Sequence, residues 1–188
     1  MKSLPVDYQR LLLNLRAQVV EGARWITRAA SSFDRDHASI RSIIITHAKD
    51  EHRDYEILEQ DYMRAGGQLE VIQAAERNIG SEALAAFLFH QASQSNPVDM
   101  LGAMFIIEGL GEKMAANWAK RICELTNLPD KATSFLRYHG ANDEEHMQRF
   151  YEMLDRVTTN KQRAAAIQKT AKVVARLYAL QLEELDNV

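Results

Sequence analysis

Two histidines and an aspartate are spaced so that an α-helix would bring their side chains to one face. Asp143 follows His139 by four residues, and His146 follows it by seven. At about 100° per residue, Asp143 lies about 40° to one side of His139 and His146 about 20° to the other. Imidazole nitrogens and a carboxylate oxygen aimed the same way from a rigid helix suit a first-row metal ion. The segment therefore predicts one wall of a metal site.

An earlier segment repeats this spacing with different donors. His47 is followed after four residues by Glu51 and after seven by Asp54. We expect all three to be metal ligands, with Asp50, about 60° from His47, as the alternative acid. The competing interpretation is an exposed, salt-bridged face, because the whole segment is heavily charged.

Glu108 lies in an apolar stretch that also contains several glycines. Three large apolar residues precede it, and Gly102, Gly109 and Gly111 lie nearby. A carboxylate in these surroundings is expected to be buried and to need a cation or strong hydrogen bonds. Each glycine costs about 1 kcal/mol of helix propensity, which is understandable if backbone, ligand or substrate must approach closely. The competing interpretation is an ion pair between Glu108 and an arginine across the bundle.

The donors occur in the order known from dimetal carboxylate bundles. In chain order they are Glu21, Glu51 with Asp54, Glu108, and Asp143 with His146. In such bundles two helices give one Glu each and two give Glu-x-x-His. Here Asp54 stands where a His is expected. For Glu21, a position at the surface is as good an interpretation as metal ligation. Further residues that could add a ligand or contact one are Asp50, Glu112, Tyr55 and Tyr138.

The composition is that of an ordinary soluble globular protein. The chain has 188 residues, of which 46% are hydrophobic and 26% charged, so we expect one domain over residues 1–188. A net charge of −3 gives no electrostatic reason to bind nucleic acid or an anionic membrane. The lone Cys123 excludes an intrachain disulfide. With no signal-peptide pattern and no long apolar run, a cytoplasmic location is expected.

The chain is predicted to be helical throughout, because it has only eight Gly and three Pro and is dominated by good helix formers. Six helices are predicted, over about Val6–Ser31, Arg35–Ala65, Ser81–Ser95 and Val98–Thr126, then from after Pro129 to Val157, and over Lys161–Leu185. Asp34 is predicted to cap the second helix, and Gly66-Gly67 to end it. Asn96-Pro97 is predicted to open the fourth, with Asn96 as its N-cap.

These motifs resemble the haem-oxygenase-like superfamily, in particular its non-haem iron branch of iron-containing redox enzymes and dimetal oxidases. The resemblance covers about His47 to His146, and its most specific part is His139-x3-Asp143-x2-His146. Glu108, within Ile-Glu-Gly-x-Gly, looks like the family's middle carboxylate ligand. In the first motif the family usually supplies a Glu followed by a His, whereas here Asp54 fills the His position.

The resemblance implies an all-α, compact bundle of six or seven helices that holds two Fe(II) ions and uses O2 to oxidise a small organic substrate. Glu108, His139 and His146 would take part in catalysis, and the protein would be a monomer or a homodimer. One alternative is a ferritin-like four-helix bundle that binds or stores metal. Another is a metal-free enzyme of the same fold that uses Glu108 and the histidines as acid–base groups.

Overall fold

The computed structural model describes residues 4–187, and the side chains of residues 5–141, 147–148 and 150–187. That part of the chain is helical and contains no strand, as predicted. The α-helices are α1 Leu4–Ser32, α2 Ala38–Glu51, α3 Tyr55–Arg64, α4 Leu69–Gln73, α5 Ile79–Ala92, α6 Met100–Leu110, α7 Ala116–Thr126, α8 Ser134–Val157 and α9 Lys161–Glu183. A π-helical turn, Gly111–Ala115, joins α6 to α7. None of the described helices could span a membrane.

The prediction of one continuous helix over Arg35–Ala65 is wrong, because the chain bends between α2 and α3. The Asp54 amide donates to the Glu51 carbonyl at 3.3 Å and the Glu56 amide to the Arg53 carbonyl at 2.9 Å. These bonds reach back three residues instead of four, which tightens the helical turn. Neither glycine nor proline occurs between residues 38 and 64, so the sequence carries no conventional signal for the break.

The predicted helix start at Asn96-Pro97 is also wrong, because α6 begins at Met100. Asn96 has a left-handed φ of 52° and belongs to the preceding loop. Its side chain accepts a hydrogen bond from the Asp34 amide at 2.9 Å and donates one to the Asp34 carboxylate at 2.6 Å. Asp34 itself caps the next helical turn, as predicted, since its carboxylate accepts from the amides of residues 36 and 37.

The chain reversal after α3 uses a glycine as predicted, whereas the short helix that follows was not predicted. Gly66 has a φ of 90°, a left-handed conformation that glycine adopts without steric cost. Helix α4 has only five residues, which is too short for a hydrophobic period to identify it.

Helix α6 lies at the centre of the bundle, and α9 packs directly against it. Leu101 and Met104 of α6 are completely buried. A Cβ atom at Gly102 would lie 2.2 Å from the carbonyl oxygen of Ile167, so this glycine allows the α9 backbone to approach. The absence of a side chain at Gly102 therefore allows α6 to pack closely against α9. This packing holds α6, and with it Glu108, in position.

A buried aspartate joins α3 to the start of α8. Asp61 is fully buried, and its carboxylate accepts a hydrogen bond from the Phe135 amide at 2.8 Å. It also lies 3.3 Å from the guanidinium of Arg64. Burial raises the pKa of Asp61, and the hydrogen bonds from the first turn of α8 oppose that rise. Asp61 therefore satisfies amides at a helix start and sets the position of His139, one turn further along.

We expect Asp61→Asn to lower the free energy of unfolding by about 1–3 kcal/mol, because a buried charge-assisted acceptor is lost. Urea denaturation monitored by circular dichroism would measure the change. Asp130→Asn is the matched control, since the Asp130 side chain is 79% exposed and pairs with Arg137 at the surface. That control should change stability by less than about 0.5 kcal/mol. Equal losses in both variants would contradict a specific role for Asp61.

Candidate metal centre

Among the residues whose side chains are described, two groups of three potential ligands meet at Glu51. In the first group, His47, Glu51 and Glu108 each offer one donor atom within 4.8 Å of the others. In the second, Glu51, Asp54 and His139 do the same. We call these the His47 triad and the His139 triad. Because Glu51 belongs to both, the two groups form one continuous cluster of three carboxylates and two imidazoles.

The His47 triad is closed by a contact between α2 and α6. His47 Nε2 lies 3.2 Å from Glu108 Oε1, and the two side chains are 4% and 6% exposed. The imidazole ring packs edge-on against Phe150 of α8, with ring centroids 5.2 Å apart. The buried position of Glu108 is as predicted, but its close partner is a histidine rather than an arginine.

The His139 triad is closed by a contact between the α2–α3 bend and α8. His139 Nε2 lies 3.3 Å from Asp54 Oδ2, and that oxygen is buried and accepts no hydrogen bond from the described residues. The His139 ring is held by Phe135 and Tyr138, whose ring centroids lie 4.4 Å and 5.3 Å away. The ring orientation is thus fixed by packing on two sides.

The cluster brings three carboxylates together where burial disfavours their negative charge. Burial, and after it the neighbouring Glu108 carboxylate, raises the pKa of Glu51 to about 7. His139 and His47 oppose this rise. A buried carboxylate needs a proton or a cation, and mixed oxygen and imidazole donors are those that Fe(II) accepts. The residues present therefore fit a bound metal.

The raised pKa of Glu51 predicts opposite effects of pH on stability and on metal affinity. The folded-state pKa of about 7 exceeds the ordinary value of 4.5, so between these values the folded state binds more protons than the unfolded state. The contribution of Glu51 to stability is therefore complete below about pH 4.5 and is lost as the pH rises through 7. Metal affinity should rise over the same range, because a ligating carboxylate must lose its proton.

Urea denaturation of metal-free protein between pH 5 and 8, and Zn(II) titration over the same range, would measure the two effects. Glu51→Gln is the control, since it has no proton to exchange and should flatten both dependences. Metal affinity that falls as the pH rises from 6 to 8 would contradict the assignment.

An apolar cavity of about 310 Å³ opens onto the cluster. Glu51, Glu108 and His139 form its polar wall. The opposite wall is one face of α1, and α7 and α9 complete the enclosure. Gly111, at the π-helical turn, also lines the cavity, and such widened turns are frequent at functional sites. The volume falls within the range of small-molecule sites.

The other residues predicted to ligate the metal or to contact a ligand do not all lie at the cluster. Glu21 pairs with Arg24 and Arg77 at 2.9 and 3.1 Å, away from both triads. Asp50 is exposed, and Tyr138 contacts His139 by its ring edge.

The Arg16 guanidinium lies over the Tyr55 ring, and its central carbon is 5.6 Å from the ring centroid. Glu112 is in the π-helical turn with a buried carboxylate oxygen that has no hydrogen-bond partner among the described residues. Asp143 and His146 belong to α8, but their side chains lie outside the described residues.

Three cavity residues were not predicted from the sequence. Gln18 and Gly22 of α1 and Tyr178 of α9 all line the cavity. Gln18 and Gly22 fall one helical turn apart on the apolar face of α1, where a polar residue and a glycine are unusual. That irregularity was a usable signal. Tyr178 carries no comparable signal, because a tyrosine on an apolar helix face is ordinary core composition.

Residues 23–179 match the family of iron-containing redox enzymes. The chain belongs to that family. The match covers most of the chain and includes both triads. A comparison with curated proteins finds no match.

Two solved structures share the fold. One is a domain of unknown function with a haem oxygenase-like fold from Shewanella denitrificans, with a TM-score of 0.90 and 18% identity over 96% of this chain and 78% of that one. The other is a TenA homolog from Pseudomonas syringae pv. tomato, with a TM-score of 0.77 and 15% identity over 96% and 79%. The haem oxygenase-like prediction is thus confirmed over the ferritin-like alternative.

Proposed function

We propose that this protein is a non-haem iron oxidase or oxygenase that holds two Fe(II) ions and uses O2 to oxidise a small organic substrate. The observation that carries the proposal is the sharing of Glu51 between two partly buried triads beside an apolar cavity. Family membership supports iron and redox chemistry. The cavity favours turnover of an organic molecule over metal storage, because storage needs no substrate site.

In this proposal the His47 triad would hold one ion and the His139 triad would hold the other, and Glu51 belongs to both triads. Asp143 and His146, predicted from their spacing after His139, would complete the ligand shell. Iron would supply the binding and reduction of O2. Three carboxylates would neutralise the ions with flexible oxygen donors, and two imidazoles would add neutral nitrogen donors.

The chain's own residues would also orient the ligands and exclude water. Phe135 and Tyr138 hold the His139 ring, and Phe150 holds the His47 ring, so each imidazole would be able to bind an ion without reorganisation. The apolar walls keep bulk water from the reacting centre and position the substrate against Glu51, Glu108 and His139.

Anaerobic dialysis against Fe(II), followed by exposure to O2, tests the proposal. We expect two Fe(II) per chain, and O2 consumption faster than that of the same Fe(II) in buffer. One Fe(II) per chain would contradict the two-ion site. Absence of binding would leave the metal-free acid–base alternative, which the shared fold of the TenA homolog allows. Many irons per chain in a large oligomer would indicate storage.

A further inference from the structure

The part of the cavity away from the metal ligands has one polar feature, formed by Gln18 and Tyr178. Both side chains line the cavity, from α1 and α9 respectively. Burial raises the pKa of Tyr178 to about 12, so the phenol stays neutral. The Gln18 Oε1 atom is buried and accepts no hydrogen bond from the described residues. A buried amide oxygen without a donor costs free energy, which a ligand donor would recover.

The charge around the cavity disfavours an anionic ligand. Among the described residues, no lysine or arginine lines it, and its two charged residues are Glu51 and Glu108. A carboxylate or phosphate seated near Gln18 would have no cationic side chain to pair with, and in the metal-free protein Glu51 and Glu108 would repel it. A neutral ligand meets no such penalty.

Gly22 sets the width of the cavity one turn beyond Gln18. A Cβ atom built at Gly22 meets nothing within 4 Å, so no neighbouring side chain requires a glycine there. Glycine within a helix costs up to about 1 kcal/mol relative to alanine. The open space above Gly22 belongs to the cavity, which a larger residue would fill.

We propose that the cavity selects a neutral, mostly apolar molecule of about ten non-hydrogen atoms whose single O–H or N–H group donates to Gln18 Oε1, with Gly22 keeping the room for it. The size follows from a volume of about 310 Å³ at about 30 Å³ for each water-sized group. That molecule would be the substrate of the proposed oxidase. Its role as substrate rests on the proposed function, whereas its binding does not.

Intrinsic fluorescence can measure binding directly, because both tryptophans of the chain, Trp25 and Trp118, line the cavity. The probes are 1-octanol, its isomer heptyl methyl ether, and octanoate, which are similar in size and differ in donor and charge. The full-length protein is titrated at pH 8, metal-free and with Zn(II). In metal-free protein we expect 1-octanol to bind about fivefold to tenfold more tightly than the ether, and octanoate at least about tenfold more weakly than 1-octanol.

Three variants separate the parts of the inference. Gln18→Leu keeps a side chain of similar size but has no amide oxygen. This variant should bind 1-octanol and the ether with equal affinity. Gly22→Leu should weaken all three probes by at least about tenfold. Thr27→Leu places the same side chain on the exposed face of α1 and should change nothing.

The inference is overturned if the ether binds as tightly as 1-octanol, if octanoate binds most tightly to the metal-free protein, or if no probe binds. It is also overturned if Gln18→Leu leaves the preference intact. Because these titrations need neither iron nor O2, their failure leaves the metal proposal standing. Conversely, a protein that binds no Fe(II) can still show the predicted selectivity.

Discussion

Glu51→Gln is expected to weaken Fe(II) binding at both sites by more than about 100-fold, whereas loss of either histidine should affect one site. The reason is geometric, since Glu51 is the one residue common to the two described triads. His47→Ala should leave one Fe(II) bound through the His139 triad, and His139→Ala should leave one through the His47 triad. Equilibrium dialysis under anaerobic conditions, with iron measured per chain, gives the stoichiometry.

The stability of metal-free Glu51→Gln distinguishes loss of a ligand from misfolding. At pH 8 the wild-type carboxylate must ionise in a buried site beside Glu108, and the raised pKa of Glu51 shows that this is unfavourable. The variant should therefore unfold at a higher urea concentration than wild type while binding less metal. Asp50→Asn is the matched control, because Asp50 is exposed and belongs to neither triad. Similar Fe(II) loss in Asp50→Asn and Glu51→Gln would contradict the shared-ligand assignment.

The sequence could predict which side chains share a helix face, but not which side chains they meet. The spacing of His47, Glu51 and Asp54 placed them on one stripe, and all three do reach the cluster. They do not act as one unit, however, because His47 meets Glu108 of α6 while Asp54 meets His139 of α8. Helix periodicity fixes directions about one axis, whereas contacts across the bundle depend on how several axes pack.

The bend at the α2–α3 junction and the cavity depend on packing in the same way. No glycine or proline marks the bend, so local propensity favours a continuous helix there. Gln18 and Tyr178 line the same cavity although they come from opposite ends of the chain. In contrast, the all-α class, the cap at Asp34 and the turn at Gly66 follow from local composition and were predicted correctly.

Gly102→Ala is expected to be the most destabilising single-methyl substitution on α6, with a loss of about 1–3 kcal/mol of the free energy of unfolding. The new Cβ would lie 2.2 Å from the Ile167 carbonyl oxygen and 3.0 Å from the Ala171 amide nitrogen. Both contacts are to backbone, which cannot move aside as a flexible side chain can. Helix α9 must therefore move away from α6, at the expense of the completely buried contacts around Leu101 and Met104.

Gly109→Ala on the same helix is the matched control and should have the opposite sign. Its Cβ would lie 3.8 Å from the end of the flexible Met147 side chain, an ordinary van der Waals distance. Gly109→Ala should then stabilise the protein by up to about 1 kcal/mol through helix propensity. Urea denaturation of both variants gives the difference, and destabilisation of both by similar amounts would show that backbone contact is not the cause.

The displacement of α6 in Gly102→Ala should also weaken Fe(II) binding. Glu108 lies on α6 less than two turns after Gly102, and its oxygen is 3.2 Å from His47 on α2. A shift of α6 by even about 1 Å changes ligand geometry enough to weaken binding. Gly102→Ala should therefore weaken Fe(II) binding at the His47 triad more than at the His139 triad, which contains no α6 residue. Equal weakening at both triads would indicate global loosening of the bundle.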